Sequence, residues 1–139
     1  MPINPGEMRK PNLGWALSSL AGPVSNIVLA TVVFLVFRSV VLSPNDTSLT
    51  GLFIAQLIQI NVFLAVFNLL PVPPLDGFGV VFGISPRPIK LALMPLMRYG
   101  PLILLAVLFL PTTQVWLNQF LVGGARIIYQ FLGVLGSAL

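Results

Sequence analysis

Residues 11–37, PNLGWALSSLAGPVSNIVLATVVFLVF, contain no charged side chain, and residues 47–75 and 99–125 are two more charge-free runs. Each is longer than the roughly 20 apolar residues that carry an α-helix across a bilayer core. The composition around these runs agrees with them: of 139 residues, 57% are hydrophobic and 7% charged, with a mean hydropathy of +1.01. A soluble domain carries about 25% charged residues. Three acids and seven bases cannot cover a folded surface of this size in water. An ordinary soluble protein, a disordered chain and a nucleic-acid binder are thereby excluded, despite a pI near 10.4. What remains is an integral membrane protein of the all-α class.

The spacing of charges predicts a polytopic transmembrane helical bundle of three to four spans in a single membrane domain, residues 1–139. The first span is expected at about 13–37 and the second at 49–70. The third is expected at 91–110, tilted or kinked near Pro95 and Pro101 because proline removes a backbone donor. A fourth apolar stretch, 115–139, contains Arg126 and the pair Gly123-Gly124, and either spans or lies partly at the interface. Arg9 and Lys10 precede the first span, and Arg87, Lys90 and Arg98 follow the second; the intervening loop holds only Arg38 and Asp46. By the bias of basic residues toward the cytoplasm, the N-terminus and segment 71–98 face that side of an inner or plasma membrane. The first apolar stretch is too long for a cleaved signal peptide and lacks a small-residue cleavage site.

Segment 71–88 breaks the pattern, with Pro71, Pro73, Pro74, Pro86 and Pro88 among its residues. Such a stretch is expected to be extended or turned, with a tight turn at Leu75-Asp76-Gly77. Irregular backbone at membrane depth is tolerated only where protein or a water-filled cavity covers it. Residues 89–98 are expected to form a short interfacial helix with Lys90 and Arg98 snorkelling.

Candidate chemistry is sparse. There is no His and no Cys, so Ser-His and Cys-His catalysis, disulfides and redox pairs are excluded, and the only acids are Glu7, Asp46 and Asp76. Asp76 stands at the end of a span on a proline-braced turn, where an ionisable group raises a functional hypothesis; the plain alternative is a solvated turn acid. In the first span Ser18, Gly22 and Asn26 share a helix face, which reads as packing for the first two and as packing or function for Asn26. Gly22-Pro23 is expected to loosen or kink that helix. In the second span Asn61, Ala65 and Asn68 share one face, and Gln56 and Gln59 occupy the other, where interhelical hydrogen bonds are expected. Arg38 and Arg126 read as interfacial anchors, and Glu7 and Asp46 as solvated loop acids.

Asn68-Leu-Leu-Pro71-Val-Pro73-Pro74-Leu75-Asp76-Gly77 closely resembles the N-x-x-P-x-P-x-L-D-G motif of the site-2 protease family, the intramembrane zinc metalloproteases. Ala21-Gly22-Pro23-Val24-Ser25-Asn26 resembles the family's A-G-P-x-x-N, and Pro2-Ile3-Asn4-Pro5 with the basic residues after it resembles the stretch preceding that motif. The three elements stand in the family's order and cover essentially the whole chain. The resemblance implies a transmembrane core in which one helix carries H-E-x-x-H, two His binding zinc and the Glu acting as general base. It further implies that Asp76 is the third zinc ligand and that Asn26 and Asn68 line the active site. Substrates would be transmembrane segments of other membrane proteins, with the active site open toward the cytoplasm.

The departure is the missing H-E-x-x-H, which in the family lies upstream of the point where this sequence begins. The favoured expectation is a C-terminal part of a site-2-type protease, inactive alone and unable to bind zinc tightly with one carboxylate. The competing expectation is a non-catalytic membrane protein that binds transmembrane segments or serves as an assembly subunit. A small transporter or channel is a weaker third, because the spans show no repeated halves. Phe78, where the family has a small residue, is expected to crowd the turn slightly.

Overall fold

The computed structural model describes residues 11–41 and 48–138. Among the described residues the chain forms six helices and no strand: α1 Pro11–Val41, α2 Leu49–Asn68, α3 Asp76–Ile84, α4 Arg87–Arg98, α5 Gly100–Phe109 and α6 Pro111–Ala138. Three of them are long and apolar enough to cross a membrane: α1 over Gly14–Ser39, α2, and α6. The protein is an all-helical membrane protein, as the charge-free runs indicate.

Local chemistry sets the helix ends. Ser48 caps α2, its hydroxyl accepting from Gly51 N at 3.0 Å. That helix ends at Asn68, short of the expected 70, because Pro71 disfavours helical geometry in the residue before it. Helix α6 starts at Pro111 rather than near residue 115; proline at the first helical position lacks an amide that would be unpaired there anyway. The Thr113 hydroxyl lies within hydrogen-bond distance of Val107 O (2.7 Å) and Leu110 O (2.8 Å), joining the start of α6 to the open end of α5.

Two expectations are corrected. Segment 71–88 is irregular only in part: residues 76–84 are helical, so Asp76 opens helix α3 with Leu75 as its cap. The prolines lie outside that stretch, and Asp in a first helical turn faces the positive end of the helix dipole favourably. Second, α1 keeps helical backbone angles through Gly22-Pro23; its non-helical residue is Phe37 (φ −111°, ψ 19°). Pro23 is among the most buried side chains, so packing holds the helix despite the lost hydrogen bond. The kink expected within 91–110 is present: the stretch is two helices, α4 and α5, bent by 75° at Tyr99. The break falls between Pro95 and Pro101, and Pro101 occupies the first turn of α5.

Helix α1 is the hub and packs most extensively on α2 and α3. Ala30 and Phe34 of α1, Ile54, Ile58 and Val62 of α2 and Leu132 of α6 form one buried cluster. Leu70 and Val72 meet Leu117 of α6 in a second, covered by Ile103, Leu104 and Val107 of α5. The outer faces are equally apolar: Val24, Val28, Val32 and Val36 recur every fourth residue on α1, each at least half exposed. Valine ridges left uncovered in this way suit hydrocarbon as solvent, where no apolar area is taken from water.

Candidate functional site

Helix α3 does not leave the bundle after the proline segment but runs back along α1, antiparallel to it. Asp76 meets Gly22, Gly79 meets Ser19, and the Phe82 ring packs against Trp15 with centroids 5.9 Å apart. The sequence permits this approach through small residues. A Cβ on Gly22 would stand 2.6 Å from Asp76 Oδ2, and one on Gly79 would overlap the Ser19 hydroxyl. Gly77 is equally constrained, since a Cβ there would run into the backbone carbonyls of Leu69 and Leu70. The turn that follows α2 is therefore folded directly onto the last residues before it. Its core is pinned by Leu75 N donating to Val72 O at 2.9 Å, and Pro73-Pro74 is a cis peptide bond.

Between α1 and this turn lies a cavity of about 430 Å³, lined by Trp15, Ser18, Gly22, Pro73, Asp76 and Met97 among others. It is half open. Asp76 makes no hydrogen bond or ion pair with any described residue. Partial burial raises its carboxyl pKa above the ordinary aspartate value. A partly desolvated carboxyl without a protein partner can accept a cation or a hydrogen-bond donor.

The structure thus joins two of the motifs read from the sequence, through Gly22 of the first and Asp76 of the second. Asn26 and Asn68 are not among the residues lining the cavity. Both are half-buried, Asn26 one helical turn beyond Gly22 and Asn68 as the last residue of α2. Gly22 lies on a face that α3 packs on, together with Ser19 and Trp15, whereas Ser18 is exposed and lines the cavity. Asn61 is buried and donates to Leu57 O at 2.8 Å within its own helix, while Ala65 is fully buried beside it. The expected interhelical bonds of Gln56 and Gln59 are not formed: both are exposed, along a groove they share with Asn118 and Tyr129 of α6. Arg38 reaches Gly136 O at 3.5 Å, and Arg126 is exposed. Lys90 donates to Gly83 O at 3.1 Å and lies 5.6 Å over the Phe82 ring. Phe78 is buried and stacks on Phe82 at 6.3 Å, so it packs inward and leaves the turn intact. Glu7, Asp46 and the Pro2-Ile3-Asn4-Pro5 stretch lie outside the described residues.

Trp15, Ser19, Gly79 and Met97 were not singled out in the sequence. Trp15 and Ser19 were legible, since with Gly22 and Asn26 they form one stripe at helical spacing. Met97 carries no such signal, because its place depends on the bend at Tyr99.

A catalytic zinc needs three protein ligands. Among the described residues no group of three or more His, Cys, Asp or Glu could hold a metal ion. Asp76 offers one ligand, so the donor set described here does not fit zinc by itself.

Fold and site together define a polytopic α-helical membrane protein that presents a single unpaired carboxylate in a half-open internal cavity. The chain is similar to "Putative zinc metalloprotease YwhC" of Bacillus subtilis, 35% identical over 118 residues that cover 80% of this chain and 53% of that protein. It is also similar to "Putative zinc metalloprotease Rip2" of Mycolicibacterium smegmatis, 31% identical over 73% of this chain and 38% of that protein. A third relative, "Putative zinc metalloprotease MJ0611" of Methanocaldococcus jannaschii, is 42% identical over 64 residues. The chain belongs with these proteins, in agreement with the site-2-protease-like family that its motifs resemble. It spans about half the length of the first of them and less of the other two. No family model and no solved structure matches it.

Proposed function

We propose that the complete protein is an intramembrane zinc metalloprotease of the site-2 type, cleaving peptide bonds in or near transmembrane segments of membrane proteins, and that this chain supplies the aspartate ligand of its metal site. The observation that carries the proposal is the Asp76 carboxylate, unpaired and held against Gly22 where the two motifs meet over a cavity. The homologues' names support zinc for the family. The two histidines and the general-base glutamate come from a segment that this sequence does not contain, so the chain alone is inactive. Zinc, once held, supplies an activated water. This chain's own part is positional: Gly77 lets the turn close and Gly22 leaves room for the carboxylate, while a lining role for Asn26 and Asn68 in the assembled enzyme rests on the motif resemblance, since neither lines the cavity here. The cavity opens toward the cytoplasmic side, an orientation supported by the basic residues at 87–98.

The test is Asp76→Asn in the complete protein. Cleavage of a transmembrane substrate and zinc content should both be lost while the variant purifies as a folded protein. Wild-type zinc content in Asp76→Asn overturns the assignment. The isolated 139-residue chain should purify with much less than one zinc per molecule.

The absence of histidine from all 139 residues favours a second reading, a non-catalytic relative that binds transmembrane segments. The coding DNA upstream separates the two: an in-frame H-E-x-x-H preceded by an apolar helix supports the protease, and close in-frame stops support the binder.

A further inference from the structure

Helix α4 contains no buried residue. Its basic side chains nevertheless gather on one side, a sector that exposed Leu91 and Met94 share. Arg87, Lys90 and Arg98 fall within ~80° of one another around the helix axis, and Ile89, Leu93 and Leu96 fall within ~60° on the roughly opposite side. No acid lies on the helix. Lys90 is committed to α3 through Gly83 O and the Phe82 ring. Arg87 and Arg98 are exposed and make no hydrogen bond or ion pair with described residues, and Ile89 and Leu96 are exposed as well.

The level of this helix is fixed by a short chain of contacts. Lys90 lies over Phe82, and Phe82 packs on Trp15, the second residue of the apolar stretch Gly14–Ser39. Helix α4 is therefore tied to the height at which α1 enters its membrane-compatible segment. At its other end it turns by 75° into α5 at Tyr99, an exposed aromatic of the kind enriched at headgroup level.

We propose that α4 is an interfacial helix that docks on anionic phospholipid headgroups. Arg87 and Arg98 pair with lipid phosphates, while Ile89 and Leu96 enter the upper acyl region. Charge complementarity selects this occupant. A second copy would bring the same positive helix and repel it, and a helix sunk in hydrocarbon would strand two guanidinium groups. A leaflet of anionic lipid satisfies both flanks at once, because it offers phosphate above and hydrocarbon below. Docking also bears on the cavity, since Met97 of α4 lines it and Gly100, just past the bend, packs on Pro73 at a distance where a Cβ would stand 3.2 Å away. The proposal does not rest on the protease reading.

The sequence has no cysteine, so Ile89→Cys accepts a single fluorophore on the full chain. The labelled protein is reconstituted in phosphatidylcholine vesicles doped with an equal small fraction of nitroxide-labelled phosphatidylglycerol or nitroxide-labelled phosphatidylcholine. The anionic quencher should act at least about twofold more strongly than the zwitterionic one, as expected for two basic residues at a charged surface. Added salt should reduce that ratio. Arg87→Gln with Arg98→Gln should bring it to unity without abolishing quenching, which shows that the helix still sits in the interface. A label at Leu52→Cys, exposed on α2 with no basic residue beside it in the helix, should show no preference. Equal quenching by the two lipids at Ile89→Cys, a preference that survives loss of both arginines, or a label quenched by neither lipid and cross-linking to a second copy would each overturn the proposal.

Discussion

A methyl group on Gly22 would stand 2.6 Å from Asp76 Oδ2, closer than a carbon and an oxygen can sit. The obstructing atom is the end of a side chain, so Gly22→Ala should move the carboxylate and leave the fold standing. In the complete protein we expect about a 10–100-fold loss of metal affinity, the scale on which disturbed ligand orientation is felt, with a melting temperature close to wild type. Zinc titration alongside a thermal melt checks both halves. Gly77→Ala is the contrasting case, because its obstruction is backbone carbonyl that cannot step aside. That variant should lose about 1–3 kcal/mol of stability in a denaturation series, as overpacked sites do. Gly123→Ala meets open space and should instead gain up to about 1 kcal/mol from helix propensity. Melts that rank the three variants in any other order would mean that the close approach of α3 to α1 is wrongly drawn. The glycine and aspartate were legible as separate motifs. Their contact was not, since residues 22 and 76 meet only once a helix begins at Asp76, and a proline-rich string gives no sign of that.

The elements show the same division. Helices α1, α2 and α6 were visible as charge-free runs, because a spanning helix must be apolar on every side and this leaves a mark in composition. Helix α3 was hidden. Its nine residues are uniformly apolar after Asp76, so they carry no periodic signal, and the prolines at 71, 73, 74, 86 and 88 frame it so closely that the whole stretch reads as loop. The break near Pro95 and Pro101 was legible, but its place was not: Pro95 sits inside α4 and Pro101 in the first turn of α5, so neither proline marks the bend at Tyr99 itself. At the α5–α6 junction the Thr113 hydroxyl faces the carbonyls of Val107 and Leu110, the second of which also accepts from the Thr113 and Gln114 amides. Thr113→Val keeps the shape and removes the donor, and should cost about 1 kcal/mol, the net worth of a hydrogen bond. A reversible unfolding series in detergent gives the value, and no change would mean that the Val107 carbonyl is satisfied equally well without the hydroxyl. Between α2 and α6 the contact is made at Gly124, where a Cβ would stand 2.6 Å from Val66 Cγ1. Gly124→Ala should loosen this pair where Gly133→Ala, with nothing within 4 Å, should not.

For the molecule as a whole, the packing makes a prediction about how many times the chain crosses. Composition allowed four spans, counting 91–110 as one. Helix α6, however, begins where α2 ends: Leu117 packs with Leu70 and Val72, Gly124 with Val66, Leu132 with Ile54 and Ile58, and Gly136 with Phe34. It is antiparallel to α2 and parallel to α1. Helix α5 has ten residues, a length of about 15 Å at 1.5 Å per residue, half the hydrocarbon thickness. Its start packs on Pro73 and its end leads into the start of α6, so both lie toward the Asp76 end of the bundle. This packing predicts that the α4–α5 pair enters and returns without crossing, which would leave three spans where length and composition allow up to four. An odd number of crossings puts Ser85, beside α3, and Ser137, at the end of α6, on opposite faces of the membrane. With no native cysteine, Ser85→Cys and Ser137→Cys each carry one reporter for a thiol reagent that cannot cross the bilayer. In intact cells Ser137→Cys should be labelled and Ser85→Cys protected, and in inverted vesicles the pattern should reverse, since the basic residues at 87–98 favour the cytoplasmic side. Labelling of both from one face would require a fourth crossing and restore the span at 91–110. Opposite faces with the reverse orientation would leave the three-span packing intact and remove the charge-based assignment alone.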